Sequence, residues 1–193
     1  VMLTFDDAYV DFAEVAWPLL EAYGFPATIF VVADSVGGAA TWDTHHGEAA
    51  PLLSWDQLRA LEAAGVELGS HSGSHVPITS LSPHEALQRE LVTRATFERE
   101  LGRPVSALAY PYGDVDDAMR HTMARAGYTI AVTTRDGLST VWDDPLKLPR
   151  QEVSGDDDLD DFVAKLGSAR PHNPLRRALH RHRRATERAR QLF

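Results

Sequence analysis

Two short polar clusters carry the residue types of a hydrolytic metal site. Asp6 and Asp7 follow an apolar run at the start of the chain, and His71 and His75 follow a later one. Two imidazoles and one carboxylate can hold a divalent ion and leave a coordination position open. A second carboxylate that is not bound to the ion can take a proton from water. The four residues therefore indicate metal-assisted hydrolysis.

Each cluster taken alone has an ordinary explanation. Ser-Gly-Ser separates His71 from His75, which favours a turn over a helix, and histidines at this spacing are often unrelated. An Asp-Asp pair after a strand is equally typical of a solvated turn or a helix cap. The functional interpretation therefore depends on the two clusters occurring together.

Apolar runs alternate with helical patterns along the chain. Strands are predicted at Val1–Phe5, Ala27–Val32, Val66–Gly69, Val105–Tyr110, Tyr128–Val132 and Lys147–Gln151. Helices are predicted at Phe12–Tyr23, from a Ser54 cap to Gly65, from a Ser82 cap to Gly102, at Asp116–Ala126 and at Asp158–Leu166. Helices that end at glycine and lead into a new strand indicate β/α units with parallel strands. An α/β barrel and a doubly wound sheet both fit this pattern.

Three polar clusters follow predicted strands directly. Asp6 and Asp7 follow the first strand, His71 and His75 follow the third, and Pro111–Gly113 follows the fourth. The carboxyl ends of parallel strands share one edge of the sheet, where α/β proteins build their sites. We therefore expect these clusters to meet.

A long segment rich in Gly, Ala and His separates the second strand from the next helix. Ala33–Leu53 is predicted to be a surface loop near the site. His45 and His46 within it are expected to be exposed loop residues, with substrate contact as the alternative.

Composition bounds the class of protein. A chain of 193 residues that is 44% hydrophobic can bury the core of one domain. It has no cysteine, so any metal must be held by histidine and carboxylate. No apolar run reaches the length of a membrane span, and no signal-peptide pattern opens the chain, which starts at Val1 within an apparent strand. The compartment therefore stays open on composition alone.

The net charge of −9 is unevenly distributed. Residues 170–193 hold eight arginines and one acid, so the remainder of the chain is strongly acidic. An acidic body argues against a nucleic-acid partner. We predict a domain over residues 1–169 and a basic helical tail over 170–193. The tail is interpreted as a solvated helix, a contact with an anionic surface or an interface to a partner protein.

Three motifs together resemble those of the polysaccharide deacetylase family, also called the NodB homology domain or carbohydrate esterase family 4. They are Thr4–Asp7, His71–His75 and Tyr110–Gly113, and the resemblance covers about residues 1–166. It implies the family's distorted (β/α) barrel. It also implies removal of an acetyl group, with N-acetyl expected before O-acetyl, from a carbohydrate of the cell envelope or an exopolysaccharide. The expected location is then the envelope or the exterior, with the cytoplasm as the alternative.

The resemblance assigns a role to each motif residue. Asp7, His71 and His75 would ligate the metal, with Zn²⁺ as the default and Co²⁺ or Ni²⁺ as alternatives. Asp6 would be the general base toward a water that the ion activates and that attacks the acyl carbonyl. The backbone N–H of Tyr112 would help to hold the oxyanion.

Three departures from the family's pattern weaken parts of this assignment. Ala8 stands where glycine is usual, and Ala109 stands where an arginine usually braces the base, so Arg150 is proposed as its substitute. The family's Leu-x-x-His, which supplies the general acid, is not found before the basic tail. Asp6 returning its proton, or another group, would have to protonate the leaving group. Two alternatives therefore stay open: an amidase acting on a small cyclic non-sugar amide, and a catalytically weak glycan-binding homologue.

Overall fold

Five parallel strands form one sheet. A computed structural model of the protein describes residues 1–43 and 48–167. The strands are β1 (Leu3–Phe5), β2 (Ala27–Val31), β3 (Glu67–Ser70), β4 (Ala107–Ala109) and β5 (Ile130–Val132). Each pairs in parallel with the next strand along the chain, so the direction across the sheet never reverses. A doubly wound sheet requires such a reversal, and this order is therefore that of a curled (β/α) half-barrel.

Four of the five strands are shorter than the sequence predicts, and β3 has the predicted length but lies one residue later. Val105 and Tyr128 are buried, as residues of a central strand would be, but their backbones are not paired with a neighbouring strand. Burial of apolar side chains therefore extends beyond the paired backbone. The strand predicted at Lys147–Gln151 is wrong, since it shrinks to one parallel bridge between Val132 and Leu148. Pro149 follows immediately and has no N–H to extend the pairing.

Within residues 1–43 and 48–167, five α-helices connect or follow the strands. They are α1 (Trp17–Ala22), α2 (Trp55–Ala63), α3 (Pro83–Leu101), α4 (Asp117–Ala126) and α5 (Leu159–Gly167). The capping box predicted at the start of α2 is confirmed, because Ser54 and Gln57 satisfy each other's backbone N–H groups. At the start of α3, the Ser82 hydroxyl accepts the backbone N–H of Glu85 at 3.2 Å.

The first predicted helix begins irregularly. Phe12–Ala16 forms a π-turn in which the N–H of Trp17 reaches the carbonyl oxygen of Phe12. Pro18 follows and has no N–H to continue a regular α-helical series. Only Trp17–Ala22 is α-helical.

Two compact units divide the chain. The first comprises Val1–Thr133 with Asp143–Leu148 and contains all five strands. Among the described residues, the second comprises Thr134–Trp142 and residues 149–167. Within the second unit, the buried Lys165 of α5 donates to the carbonyl oxygen of Glu152 at 2.5 Å and pairs with Asp157.

Two expectations about organisation are left as predictions. One is a single domain over 1–169. The other is a basic helical tail over 170–193, which lies outside the described residues. In the part of the chain that the structure describes, no helix has the length and apolar character needed to cross a bilayer.

Candidate metal-binding active site

A sharp turn after β1 presents the two aspartates. Asp7 and Ala8 both have left-handed backbones, with φ of 72° and 62°. Ala8 is buried, and its carbonyl oxygen accepts the N–H of Leu53 at 2.9 Å. A side chain in this conformation costs about 1–2 kcal/mol, which glycine does not incur. The turn therefore explains why the family's pattern usually has glycine at this position.

A second turn after β3 presents the two histidines. The N–H of Ser72 donates to the Ser70 hydroxyl at 3.2 Å, and the N–H of His75 donates to the Ser72 hydroxyl at 3.1 Å. Ser72 and His75 have φ of 63° and 55°. The prediction of a turn rather than a helix is confirmed, and side-chain hydroxyls fix its shape.

Backbone strain is concentrated at this edge of the sheet. Among the described residues, five that are not glycine have left-handed backbones, and all five follow β1, β3 or β4: Asp7, Ala8, Ser72, His75 and Tyr112. Such conformations persist only where the surrounding structure enforces them, and they cluster at functional sites.

The predicted metal ligands converge on one point. Oδ1 of Asp7 lies 3.5 Å from Nε2 of His71 and 3.3 Å from Nε2 of His75. The ligand atoms of the three residues all lie within 4.8 Å of one another. Ligand atoms of a tetrahedral zinc ion lie about 3.4 Å apart, given zinc–ligand distances near 2.1 Å. The three side chains therefore fit a divalent ion.

The protonation of the two histidines also suits an ion. Nδ1 of His71 lies 2.7 Å from the carbonyl oxygen of Ala109, and a proton on Nδ1 leaves Nε2 with its lone pair. Burial lowers the pKa of His71, and burial lowers the pKa of His75 to about 4. Both rings are therefore neutral at pH 7, which is the form that ligates metal.

One oxygen of the carboxylate at the centre lacks a hydrogen-bond partner among the described residues. Burial raises the pKa of Asp7, and the His71 ring opposes that rise. Oδ1 of Asp7 and Nδ1 of His75 are buried and have no hydrogen-bond partner among the described residues. Buried polar atoms normally have a partner, so an orphaned carboxylate oxygen between two neutral imidazoles fits a bound cation.

Aromatic rings enclose the His75 side of the site. Trp42 stacks on the His75 ring with centroids 4.5 Å apart and an interplanar angle of 19°. Tyr112 meets the same ring edge-on at 4.7 Å. Sequence reasoning missed Trp42, although it lies in the Ala33–Leu53 loop that was expected near the site.

The other predicted site residues divide into three groups. The charge of Asp6 acts on Asp7, His71 and His75, which places it beside the ligands. Arg150 lies in the second unit, where its N–H donates to the carbonyl oxygen of Arg135 at 3.0 Å. Its role as a brace for the base stays a prediction, as does the oxyanion role of the Tyr112 N–H. His45 and His46 lie outside the described residues.

A buried polar network, also missed from the sequence, lies behind the histidine turn. The hydroxyl of Tyr128 donates to Oε2 of Glu90 at 2.8 Å, and Tyr128 also hydrogen-bonds with Ser70 at the end of β3. Burial raises the pKa of Glu90 to about 7. The Arg94 guanidinium covers the Tyr128 ring at 5.3 Å and occupies the space that a Cβ at Gly127 would need.

Comparison with known proteins identifies relatives of this arrangement. Residues 1–131 match the profile of the polysaccharide deacetylase family. The chain is 27% identical over 140 residues to Bacillus subtilis YxkH, which is named for the same family, covering 72% of this chain and 46% of that protein. It is 26% identical over 165 residues to the poly-β-1,6-N-acetyl-D-glucosamine N-deacetylase of Staphylococcus epidermidis, covering 81% of this chain and 55% of that protein. The chain thus spans about half the length of these relatives.

Solved structures support the fold. The deacetylase PplD of Streptococcus pyogenes, in complex with acetate, superposes with a TM-score of 0.74 at 24% identity, over 89% of this chain and 70% of that one. IcaB of Ammonifex degensii gives a TM-score of 0.71 at 23% identity, over 87% of this chain and 73% of that one. The expected distorted (β/α) barrel architecture is confirmed.

Proposed function

Since the chain belongs to the polysaccharide deacetylase family, we propose that it is a metal-dependent hydrolase that removes an acetyl group from an acetylated glycan. The observation that carries this proposal is the triangle formed by Asp7, His71 and His75. Its edges at Asp7 measure 3.3 and 3.5 Å, and Asp6 directly precedes the carboxylate at its apex.

The amide bond of an N-acetyl group is the first substrate class. The S. epidermidis relative is named for an N-acetyl-D-glucosamine polymer. Its substrate class therefore supports a glycan with N-acetylated sugars for this chain. Such a polymer favours action at the cell envelope or outside the cell.

The metal would be held by Oδ1 of Asp7 and the Nε2 atoms of His71 and His75. A divalent ion in such a site supplies Lewis acidity toward water and the acyl oxygen, and Zn²⁺ is the first choice before Co²⁺ or Ni²⁺. The hydrogen bond from Nδ1 of His71 to Ala109 keeps the lone pair of Nε2 directed at the triangle.

Asp6 takes the proton from the water that attacks the acyl carbon. As the oxygen of the acyl group gains negative charge, the backbone N–H of Tyr112 donates to it. The carbon–nitrogen bond then breaks, the proton held by Asp6 passes to the leaving amine, and acetate remains. This route needs no separate general acid, which is consistent with the missing Leu-x-x-His motif.

Acetate release from N-acetylglucosamine oligomers tests the proposal. Chelator treatment should abolish release, and Zn²⁺, Co²⁺ or Ni²⁺ should restore it. Asp6→Asn should lower turnover by about 100-fold or more while metal binding persists, because it removes only the base. Asp7→Asn should lose both metal and activity.

Each alternative function has a distinct outcome in this experiment. Chelator-sensitive hydrolysis of a cyclic amide without acetate release from any glycan would identify the small-amide amidase. Oligomer binding with no acetate release in the metal-loaded protein would identify the glycan-binding homologue. Either outcome contradicts the proposed deacetylase.

A further inference from the structure

The two histidine ligands are oriented by different means. His71 is fixed through Nδ1 by a buried hydrogen bond of 2.7 Å to a strand carbonyl. Nδ1 of His75 is buried but has no hydrogen-bond partner in the part of the chain that the structure describes. Histidines that bind metal almost always use their second nitrogen for orientation. Among the described residues, ring contacts rather than a hydrogen bond to another residue therefore set the ring plane of His75.

Trp42 provides the broadest contact with that ring. The two rings are nearly parallel at 19°, with centroids 4.5 Å apart, while His71 and Tyr112 meet His75 edge-on at 70° and 66°. A parallel neighbour fixes the plane of a flat ring, because rotation about χ2 would drive the imidazole into the indole.

The backbone around Trp42 is tied to the aspartate turn. The N–H of Ala40 donates to the carbonyl oxygen of Ala50 at 2.9 Å, which closes the base of the Trp42 loop. A bridge between Tyr9 and Leu52, together with the hydrogen bond from Leu53 to Ala8, joins this loop to the turn that carries Asp7. Trp42 is therefore held in a defined place relative to Asp7.

We propose that Trp42 is a positioning residue for the metal centre, whose ring face sets the plane of His75. This inference rests on the metal site of the proposed function. Trp42 thus does for His75 what the Ala109 carbonyl does for His71.

The affinity for Zn²⁺, measured by competition with a chromogenic chelator, tests this role directly. Trp42→Phe keeps a smaller aromatic face, and should weaken Zn²⁺ binding about 10-fold. Trp42→Leu has no aromatic face, and should weaken binding by about 100-fold. Trp142→Phe is the matched control, because Trp142 is 92% exposed and lies in the second unit. Its affinity should equal that of the wild type.

Fluorescence tests whether Trp42 lies beside the bound ion. Co²⁺ bound at the centre should quench the indole of Trp42, which stacks on a ligand. That quenching should persist in Trp142→Phe and disappear in Trp42→Phe. Thermal melts of the metal-free variants show whether each is folded, so that a lost site is not confused with lost structure.

The outcomes separate the two proposals. If the wild-type protein binds no metal, the proposed function fails. If the wild type binds Zn²⁺ and Trp42→Leu binds it equally well, the metal site stands and the role of Trp42 is overturned. If Trp42→Phe and Trp42→Leu weaken Zn²⁺ binding equally, the aromatic face of Trp42 is not what positions His75.

Discussion

His71 and His75 reach the same metal point from opposite kinds of surroundings. His71 directly follows β3, and its ring is hydrogen-bonded to the carbonyl of Ala109 in the neighbouring β4. His75 closes the turn, and its ring lies between Trp42 and Tyr112. One ligand is oriented by the sheet, and the other by aromatic side chains from loops.

The difference separates the rigid half of the site from the adjustable half. Buried polar contacts continue behind His71 through Ser70 and Tyr128 to Glu90 on α3. At His75 the described contacts are between rings. The position of His75 therefore depends on the conformation of the loop that carries Trp42. We expect the His71 half to contribute more to folding stability, and the His75 half to respond more to metal.

Removal of each histidine in the metal-free protein gives the largest expected contrast. His71→Ala should cost about 3 kcal/mol, because it leaves a cavity in the core and an unpaired Ala109 carbonyl. His75→Ala should cost about 1 kcal/mol, because only ring contacts at the loop side are lost. Urea denaturation of both variants measures the difference. Equal losses of unfolding free energy in the two variants would show that the two halves contribute equally to stability.

Glu90→Gln sharpens the account of the buried network. The pKa of Glu90 is raised from 4.5 to about 7, mainly by burial, with the charge of Asp34 adding and the Tyr128 hydrogen bond opposing. The stability that this raised pKa contributes is fully present below about pH 4.5 and is lost as the pH rises through 7. The free energy of unfolding of the glutamine variant should therefore exceed that of the wild type by about 2 kcal/mol at pH 8 and by little at pH 5.

Urea midpoints at the two pH values measure that gain. Glu98→Gln is the control, since Glu98 lies exposed on the same helix. A gain of equal size at pH 5 and pH 8 would show that the charge of Glu90 is not its cause.

Tyr128→Phe removes one hydroxyl from the same network. The ring stays in the core, but Glu90 and Ser70 each lose a partner, so we expect a loss of about 1–2 kcal/mol. Tyr23→Phe should cost nothing, because Tyr23 is 78% exposed. Chemical denaturation at pH 5 compares the two. If the Tyr128→Phe protein is as stable as the wild type, the hydrogen bonds of Tyr128 do not stabilise the half of the site around His71.

Ala8→Gly should have the smallest effect. Glycine relieves the left-handed strain at φ 62°, but it loses a buried methyl group and gains freedom in the unfolded chain. These contributions offset one another to within about 0.5 kcal/mol. The matched Ala60→Gly, at an exposed position inside α2, should cost about 1 kcal/mol. Thermal melts measure both variants. Equal losses of stability in Ala8→Gly and Ala60→Gly would show that the backbone at Ala8 is not strained.

The sequence predicts the parts of the site that follow from strand order. Asp7, His71 and Tyr112 each come after an apolar run, and parallel pairing alone brings those strand ends to one edge. The Ser54 capping box is equally visible, because both partners lie within one helical turn. These features are predictable because they depend only on short spacings in the sequence and on the rule that the ends of parallel strands share one edge of the sheet.

The missed features depend on contacts that spacing does not encode. Trp42 reaches His75 from a loop of irregular structure, and Glu90 meets Tyr128 across 38 positions in the chain. The predicted strands β4 and β5 extend too far because burial continues at Val105 and Tyr128, where pairing has stopped. The π-turn before Pro18 was read as a regular helix because its apolar spacing is compatible with both forms.

The close approach of Arg94 to Gly127 has an evolutionary consequence. The guanidinium lies where any side chain at Gly127 would begin, and Gly127 also has a φ of +97°. A larger residue at 127 would therefore have to displace the guanidinium from the Tyr128 ring and from the Ala126 carbonyl oxygen, and it would also adopt a strained backbone. Among homologues, we expect glycine to be retained at 127 wherever this backbone conformation is kept.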